Sequence, residues 1–139
     1  MAKRILRVAR RGGINCFDNA ETYGTPQGAA EAIMGEAMRQ LKEEEPQMWR
    51  RSDLVITTKL FWGGPGLNEK GLSRKHVREG MDASLKRLQV EYVDLVFCHR
   101  PVTGLEPRLG SCGTLGCRLQ ARPADSDGDG GARDERAGA

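Results

Sequence analysis

The chain has 139 residues, of which 38% are hydrophobic and 29% charged, with a formal net charge of +3. That is the size and composition of one water-soluble domain, and the small charge gives little support to a nucleic-acid binder. No apolar run approaches the roughly twenty residues that span a bilayer, so membrane insertion is not expected.

In chain order, basic residues crowd the first eleven positions. Their apolar neighbours Ile5, Leu6 and Ala9 lie at helical spacing and run straight toward the next element. A basic-faced helix stopped by Gly12-Gly13 is therefore expected, rather than a targeting segment. Ile14 to Phe17 reads as a short buried strand that delivers Asp18 at its tip and Tyr23 just beyond. From Gly28 to Glu45 the residues Ala30, Ile33, Met34, Ala37, Met38 and Leu41 form one stripe opposite charges, an amphipathic helix ended by Pro46.

Leu54 to Leu60 is nearly continuously apolar, as in a parallel strand covered on both faces, and carries Lys59 near its end. After a glycine-rich loop, Gly63-Gly-Pro-Gly66, Ser73 has the character of an N-cap. The helix it opens places Val77, Met81, Leu85 and Leu88 inward. Glu91 to Cys98 reads as a third strand, tipped by His99. Cys16 and Cys98 fall inside predicted buried strands, where a free thiol behaves as a small hydrophobe. A reducing, cytoplasmic setting is expected.

The order helix, strand, helix, strand, helix, strand leaves one crossover helix between successive strands. Right-handed crossovers make such strands parallel, with their tips on one edge. The expected fold is thus α/β. Residues 1–101 form the domain, and 102–139, rich in Gly, Arg, Ala and Asp without hydrophobic periodicity, is expected to be disordered.

Four side chains collect at the strand tips: Asp18, Tyr23, Lys59 and His99. A phenol titrates near pH 10 when unperturbed, and an ammonium beside it favours the phenolate. A carboxylate fixes the lysine, and a neutral imidazole can orient a carbonyl oxygen. The set suits general-acid catalysis of carbonyl reduction with a hydride-donating cofactor. On spacing alone a plainer alternative stands beside it: Asp18 capping a loop, Lys59 solvated, His99 a satisfied rim residue.

Other motifs carry less. Asp125-Ser-Asp-Gly-Asp-Gly130 begins like a calcium loop, but its twelfth position is Arg136. Cys112 and Cys117 have no nearby histidine, so no metal site is expected. Gly63 to Gly66 lacks the Gly-Lys-Ser/Thr of a phosphate-binding loop.

Gly13-Ile-Asn-Cys-Phe-Asp-Asn-Ala-Glu-Thr-Tyr-Gly24, Thr57-Thr-Lys-Leu-Phe-Trp-Gly-Gly64, Gly71-Leu-Ser-Arg-Lys-His76 and Ser84-Leu-Lys-Arg-Leu-Gln-Val-Glu-Tyr-Val-Asp-Leu-Val96 together resemble the aldo-keto reductase superfamily. The likeness is greatest to the branch that includes the voltage-gated potassium channel β subunits, and covers residues 5–101. It implies a partial (β/α)8 barrel of about three βα units, lacking the first strand and everything after the fourth, since the full fold takes about 250 residues. It implies a catalytic set of Tyr23 (proton donor), Asp18, Lys59 and His99, with Trp62 in the loop bordering the substrate pocket. The implied cofactor is NADP(H). Most contacts to its pyrophosphate, adenine and 2′-phosphate come from the family's second half, which leaves Asp18 and His99, near the nicotinamide, as cofactor neighbours.

The activity so implied is NADP-dependent reduction of aldehydes or ketones, this chain being a truncated form of such an enzyme. The alternatives are a channel-β-like regulatory module and an inactive fragment. The channel subunits generally carry Asn where this chain has His99, which points toward the plain reductases. Expected partners are a small carbonyl substrate, a channel, or a second copy associating through open strand edges.

Overall fold

The computed structural model describes residues 1–100, together with two short strands at Thr114–Leu115 and Leu119–Gln120. The described elements are α1 (Ala2–Arg11), β1 (Cys16–Asp18), α2 (Ala29–Glu44), β2 (Val55–Leu60), α3 (Arg74–Leu88), β3 (Tyr92–Val93), β4 (Leu95–Cys98), β5 (Thr114–Leu115) and β6 (Leu119–Gln120). The disorder expected for 102–139 otherwise falls outside the described residues.

Strand β2 lies between β1 and β4 and is parallel to both, with Asp18 opposite Thr57 and Lys59 opposite Phe97. Each connection in this three-stranded stretch runs through a helix, α2 and then α3, as the crossover rule requires. On the far side of β4, β5 pairs antiparallel.

The helices cover one face of the sheet. Phe17, Ile56, Leu60 and Val96 are buried there with Met34, Met38 and Leu41 of α2 and Met81, Leu85 and Leu88 of α3. Trp49, which follows α2, closes this core and stacks on Phe17 at 5.8 Å between ring centroids. The opposite face explains two departures from the sequence reading. Cys16 is exposed and Cys98 only partly buried, and the face of β2 away from the helices is shielded only in part, with Thr57 buried but Val55 and Lys59 half-buried. Alternation along a strand turns Phe17 toward the helices and Cys16 with Asp18 away from them. Ile14, expected in the first strand, precedes it and is exposed.

Helix α2 also rotates from the expected stripe. Ile33 is 56% exposed, and the buried positions are Glu31, Met34, Gly35, Ala37, Met38 and Leu41. A carboxylate thus lies where a hydrophobe was expected. Glu31 accepts from Arg87 Nε at 2.7 Å and from the Thr58 hydroxyl. Arg87 in turn donates to Ser84 Oγ at 3.1 Å. This network ties α2, α3 and β2 together with each charge answered, the condition for tolerating a buried charge.

Ser73 caps α3 by accepting from the His76 backbone N–H. The expected third strand is broken at Asp94. Its carboxylate accepts from Ile56 N and from Arg51, both at 2.7 Å, so the position serves a side-chain bond and splits the run into β3 and β4.

Helix α1 ends where Gly13, at φ +92°, turns the chain back so that Ile14 N reaches Ala9 O at 3.1 Å. Its basic face is accounted for by the acidic end of α2. Lys3 bonds Glu44 at 2.7 Å, Arg7 bonds Glu44 and Glu45, and Arg11 reaches Glu45 at 3.2 Å. Leu6 and Ala9 pack on the core, whereas Ile5 and Val8 face outward. The Lys3 ammonium, with Arg7 adding to it, holds the Glu44 carboxyl below its ordinary value. A depressed carboxylate contributes stability above its unfolded value and loses it as pH falls through the folded one. Amide protection along α1, corrected for the intrinsic pH dependence of exchange, should therefore fall as pH drops below the ordinary glutamate value and through the lowered one of Glu44, and at about 1 M salt, while that of α3 changes little.

Candidate active site

The parallel register carries the three strand tips to one edge. Thr57 and Lys59 share a face of β2, and Asp18 sits opposite Thr57 on β1. Thr57 Oγ1 donates to Asp18 Oδ1 at 2.6 Å, and Lys59 Nζ donates to Asp18 Oδ2. The same ammonium donates to the Asn19 carbonyl at 2.8 Å. Both carboxylate oxygens are thereby occupied and the ammonium is fixed at the mouth of the sheet.

Tyr23 follows a turn in which its N–H donates to Ala20 O at 3.1 Å, and its own carbonyl accepts from Ala30 N at 3.0 Å. These bonds hold the ring between the other members of the set. Lys59 Nζ is 4.8 Å from its ring centroid, within cation–π range. The His99 ring meets it edge-on at 5.9 Å. His99 extends the β2–β4 pairing, its N–H donating to Leu60 O at 3.0 Å, and its Nδ1 is buried without a hydrogen-bond partner. Asp18, Tyr23, Lys59 and His99 thus come together, and the alternative of a solvated Lys59 and a satisfied His99 does not describe this geometry.

Trp62 stands in the loop directly after β2, half-exposed and edge-on to Phe61 at 5.0 Å. The loop is held from beneath by a residue that sequence reasoning passed over. The buried carboxylate of Glu21 accepts from Phe61 N at 2.5 Å and Gly63 N at 3.0 Å. Its position inside the quoted Gly13–Gly24 motif, between Asp18 and Tyr23, was the available signal; nothing in its spacing marked it as buried. Glu31 had a clearer one, since it lies on the same helical stripe as Met34, Met38 and Leu41.

No group of three or more His, Cys, Asp or Glu side chains placed to hold a metal occurs among the described residues. Nor is any helix among them long and apolar enough to cross a membrane.

The Lys59–Asp18 pair is half-open to solvent on the Asp18 side. Replacing Lys59 with Met should change the urea-unfolding free energy by no more than about 1 kcal/mol, as for exposed ion pairs. A loss of several kcal/mol would identify the pair as a structural brace instead.

A model described as the aldo/keto reductase family matches residues 1–115. A probable voltage-gated potassium channel subunit beta of Arabidopsis thaliana is 60% identical over 100 residues, 72% of this chain and 28% of that protein. One with the same description from Oryza sativa subsp. japonica is 59% identical over 100 residues, with the same coverage. The chain therefore spans little more than a quarter of the length of these relatives.

Proposed function

The chain belongs to the aldo/keto reductase family, and on that footing we propose that its strand tips form the general-acid corner of an NADP(H)-dependent carbonyl reductase acting on aldehydes or ketones. The observation that carries this reading is the Tyr23 ring beside both Lys59, whose Nζ is 4.8 Å from the ring centroid and bound to Asp18, and His99, whose ring centroid is 5.9 Å away. Architecture agrees, because three parallel strands with their covering helices are a section of the barrel wall whose C-terminal rim holds catalytic residues.

The donor set fits the nicotinamide end of the cofactor. His99 offers a buried nitrogen without a partner, and Asp18 lies on the neighbouring edge of the same site. The remaining cofactor contacts implied by the family belong to its second half. When bound, the cofactor supplies a hydride. In this reading the chain's residues do the rest. His99 orients the carbonyl oxygen, and the Tyr23 hydroxyl gives that oxygen its proton. The Lys59 ammonium stabilises the charge left on the phenol oxygen. Asp18 and the Asn19 carbonyl keep Lys59 from swinging away, and Trp62 borders the substrate.

A second reading follows from the relatives' descriptions, which name channel β subunits. On it the same fold serves as a regulatory surface for a channel partner. His99 favours the reductase reading, because the channel branch generally carries Asn there. Co-purification of a channel protein without NADPH turnover would favour the second.

Kinetics with the full chain decide between them. NADPH oxidation on adding a small aldehyde should fall at least about 100-fold in Tyr23→Phe, the usual size of a positioned acid's contribution. Equal rates in the two proteins, or no turnover in the wild type, would overturn the assignment.

A further inference from the structure

The loop that carries Trp62 is fastened at more points than a surface connection needs. Its ends are joined by Gly71 N donating to Phe61 O at 2.6 Å. Gly63 has φ +46°, and a Cβ there would lie 1.4 Å from Glu69 O, so only glycine allows this turn. Gln27 donates to Gly63 O. Beneath all of these is Glu21, 3% exposed, whose Oε1 takes the N–H groups of both residues flanking Trp62. Its backbone N–H donates to Lys59 O at 3.1 Å. Its Oε2 faces Nε2 of buried His76 at 3.5 Å, without hydrogen-bond geometry, so that nitrogen has no partner. Glu21 and His76 line a cavity of about 280 Å³ with Gln27, Glu69, Glu79 and Arg87.

We infer that Glu21 is a positioning residue that sets Trp62 against the Tyr23 site and so governs which carbonyl compounds fit. The inference rests on the reductase reading for its consequence in catalysis and for the place of Trp62 at the substrate; the hydrogen bonds from the loop to Glu21 are independent of it. One buried acceptor is shared by the two amides that bracket the indole, and the same residue is two positions from Tyr23. The turn bearing the acid and the turn bearing the substrate wall are therefore one hydrogen-bonded unit. Glu21 touches neither substrate nor cofactor in this account; it acts through the backbone of residues 61 and 63. A glutamine would keep the acceptor oxygen for both amides, and its NH2 could donate to His76 Nε2. An alanine would leave both amides unanswered.

The test has arms independent of activity. Trp49 is 1% exposed and shielded from acrylamide, so quenching and fast anisotropy decay report Trp62, with Trp62→Phe as the blank. In Glu21→Ala the fast-decay amplitude should rise about twofold or more, while Glu21→Gln stays close to wild type. Aldehyde kinetics should show KM raised about tenfold in Glu21→Ala with kcat changed less than about twofold, and both restored in Glu21→Gln. Should Glu21→Ala not fold, amide exchange of the wild-type chain still decides, because Phe61 N–H and Gly63 N–H should be slowed at least about tenfold relative to free loop amides. Unprotected amides, an unaltered Trp62 in Glu21→Ala, or a glutamine variant as mobile as alanine would overturn the inference. Absence of all turnover would sink the reductase reading while leaving the fluorescence and exchange results to decide the role of Glu21.

Discussion

The parallel, in-register seating of β2 between β1 and β4 is the constraint on which the rest depends. Asp18 can share its carboxylate between Thr57 and Lys59 only because β1 meets β2 at the Asp18–Thr57 step. A one-residue slip would turn Lys59 into the helix-covered core and bring Thr58 or Leu60 to the site face. The ion pair does not enforce this register, since a half-exposed pair is worth at most about 1 kcal/mol. The enforcement comes from the other face, where Phe17, Ile56, Leu60 and Val96 are buried against α2 and α3. Burying such side chains is worth roughly 1.5–3 kcal/mol each, an order more than the pair can supply in sum. The apolar face fixes the register, and the register fixes the polar site.

Two buried carboxylates extend this division of labour. Glu31 joins α2 to α3 and β2 through Arg87 and Thr58, and so locks the layer behind the sheet. Glu21 does the corresponding work at the rim, where it binds the turn after β2 to the segment between Asp18 and Tyr23. Each accepts more than one hydrogen bond, which is how a desolvated acid is kept from costing more than it contributes. Rigidity at the rim fixes where the loop carrying Trp62 stands relative to the sheet.

Much of this was legible in the sequence. The stripe Met34, Met38, Leu41 announced its helix through periodicity, and the nearly continuous apolar run Leu54 to Leu60 announced its strand. The tips Asp18, Lys59 and His99 followed from strand ends and crossover handedness alone. The Ser73 cap was readable as well. What escaped had physical reasons. Cys16 and Ile14 were taken as buried because they are apolar, but one face of β1 lies away from the helices. Ile33 was given to the core and Glu31 to solvent, because hydrophobicity scales do not register that Arg87, one helix later, would supply the missing charge. Asp94 broke a strand because its side chain competes with the backbone for Arg51 and Ile56 N. Glu21 offered no pattern, as its acceptor role is defined by a loop forty residues away.

The proposed reading has Tyr23 give a proton while Asp18 and His99 stand beside a nicotinamide. The most direct measurement is the thermal midpoint of the full chain with and without saturating NADPH, in the wild type and in Asp18→Ala/His99→Ala. A ligand that binds only the native state stabilises it by about 2.7 kcal/mol at one hundred times its dissociation constant. The account predicts a cooperative melt whose midpoint rises with NADPH in the wild type and not in the double variant. A midpoint indifferent to NADPH, or one that shifts equally in both proteins, would contradict it.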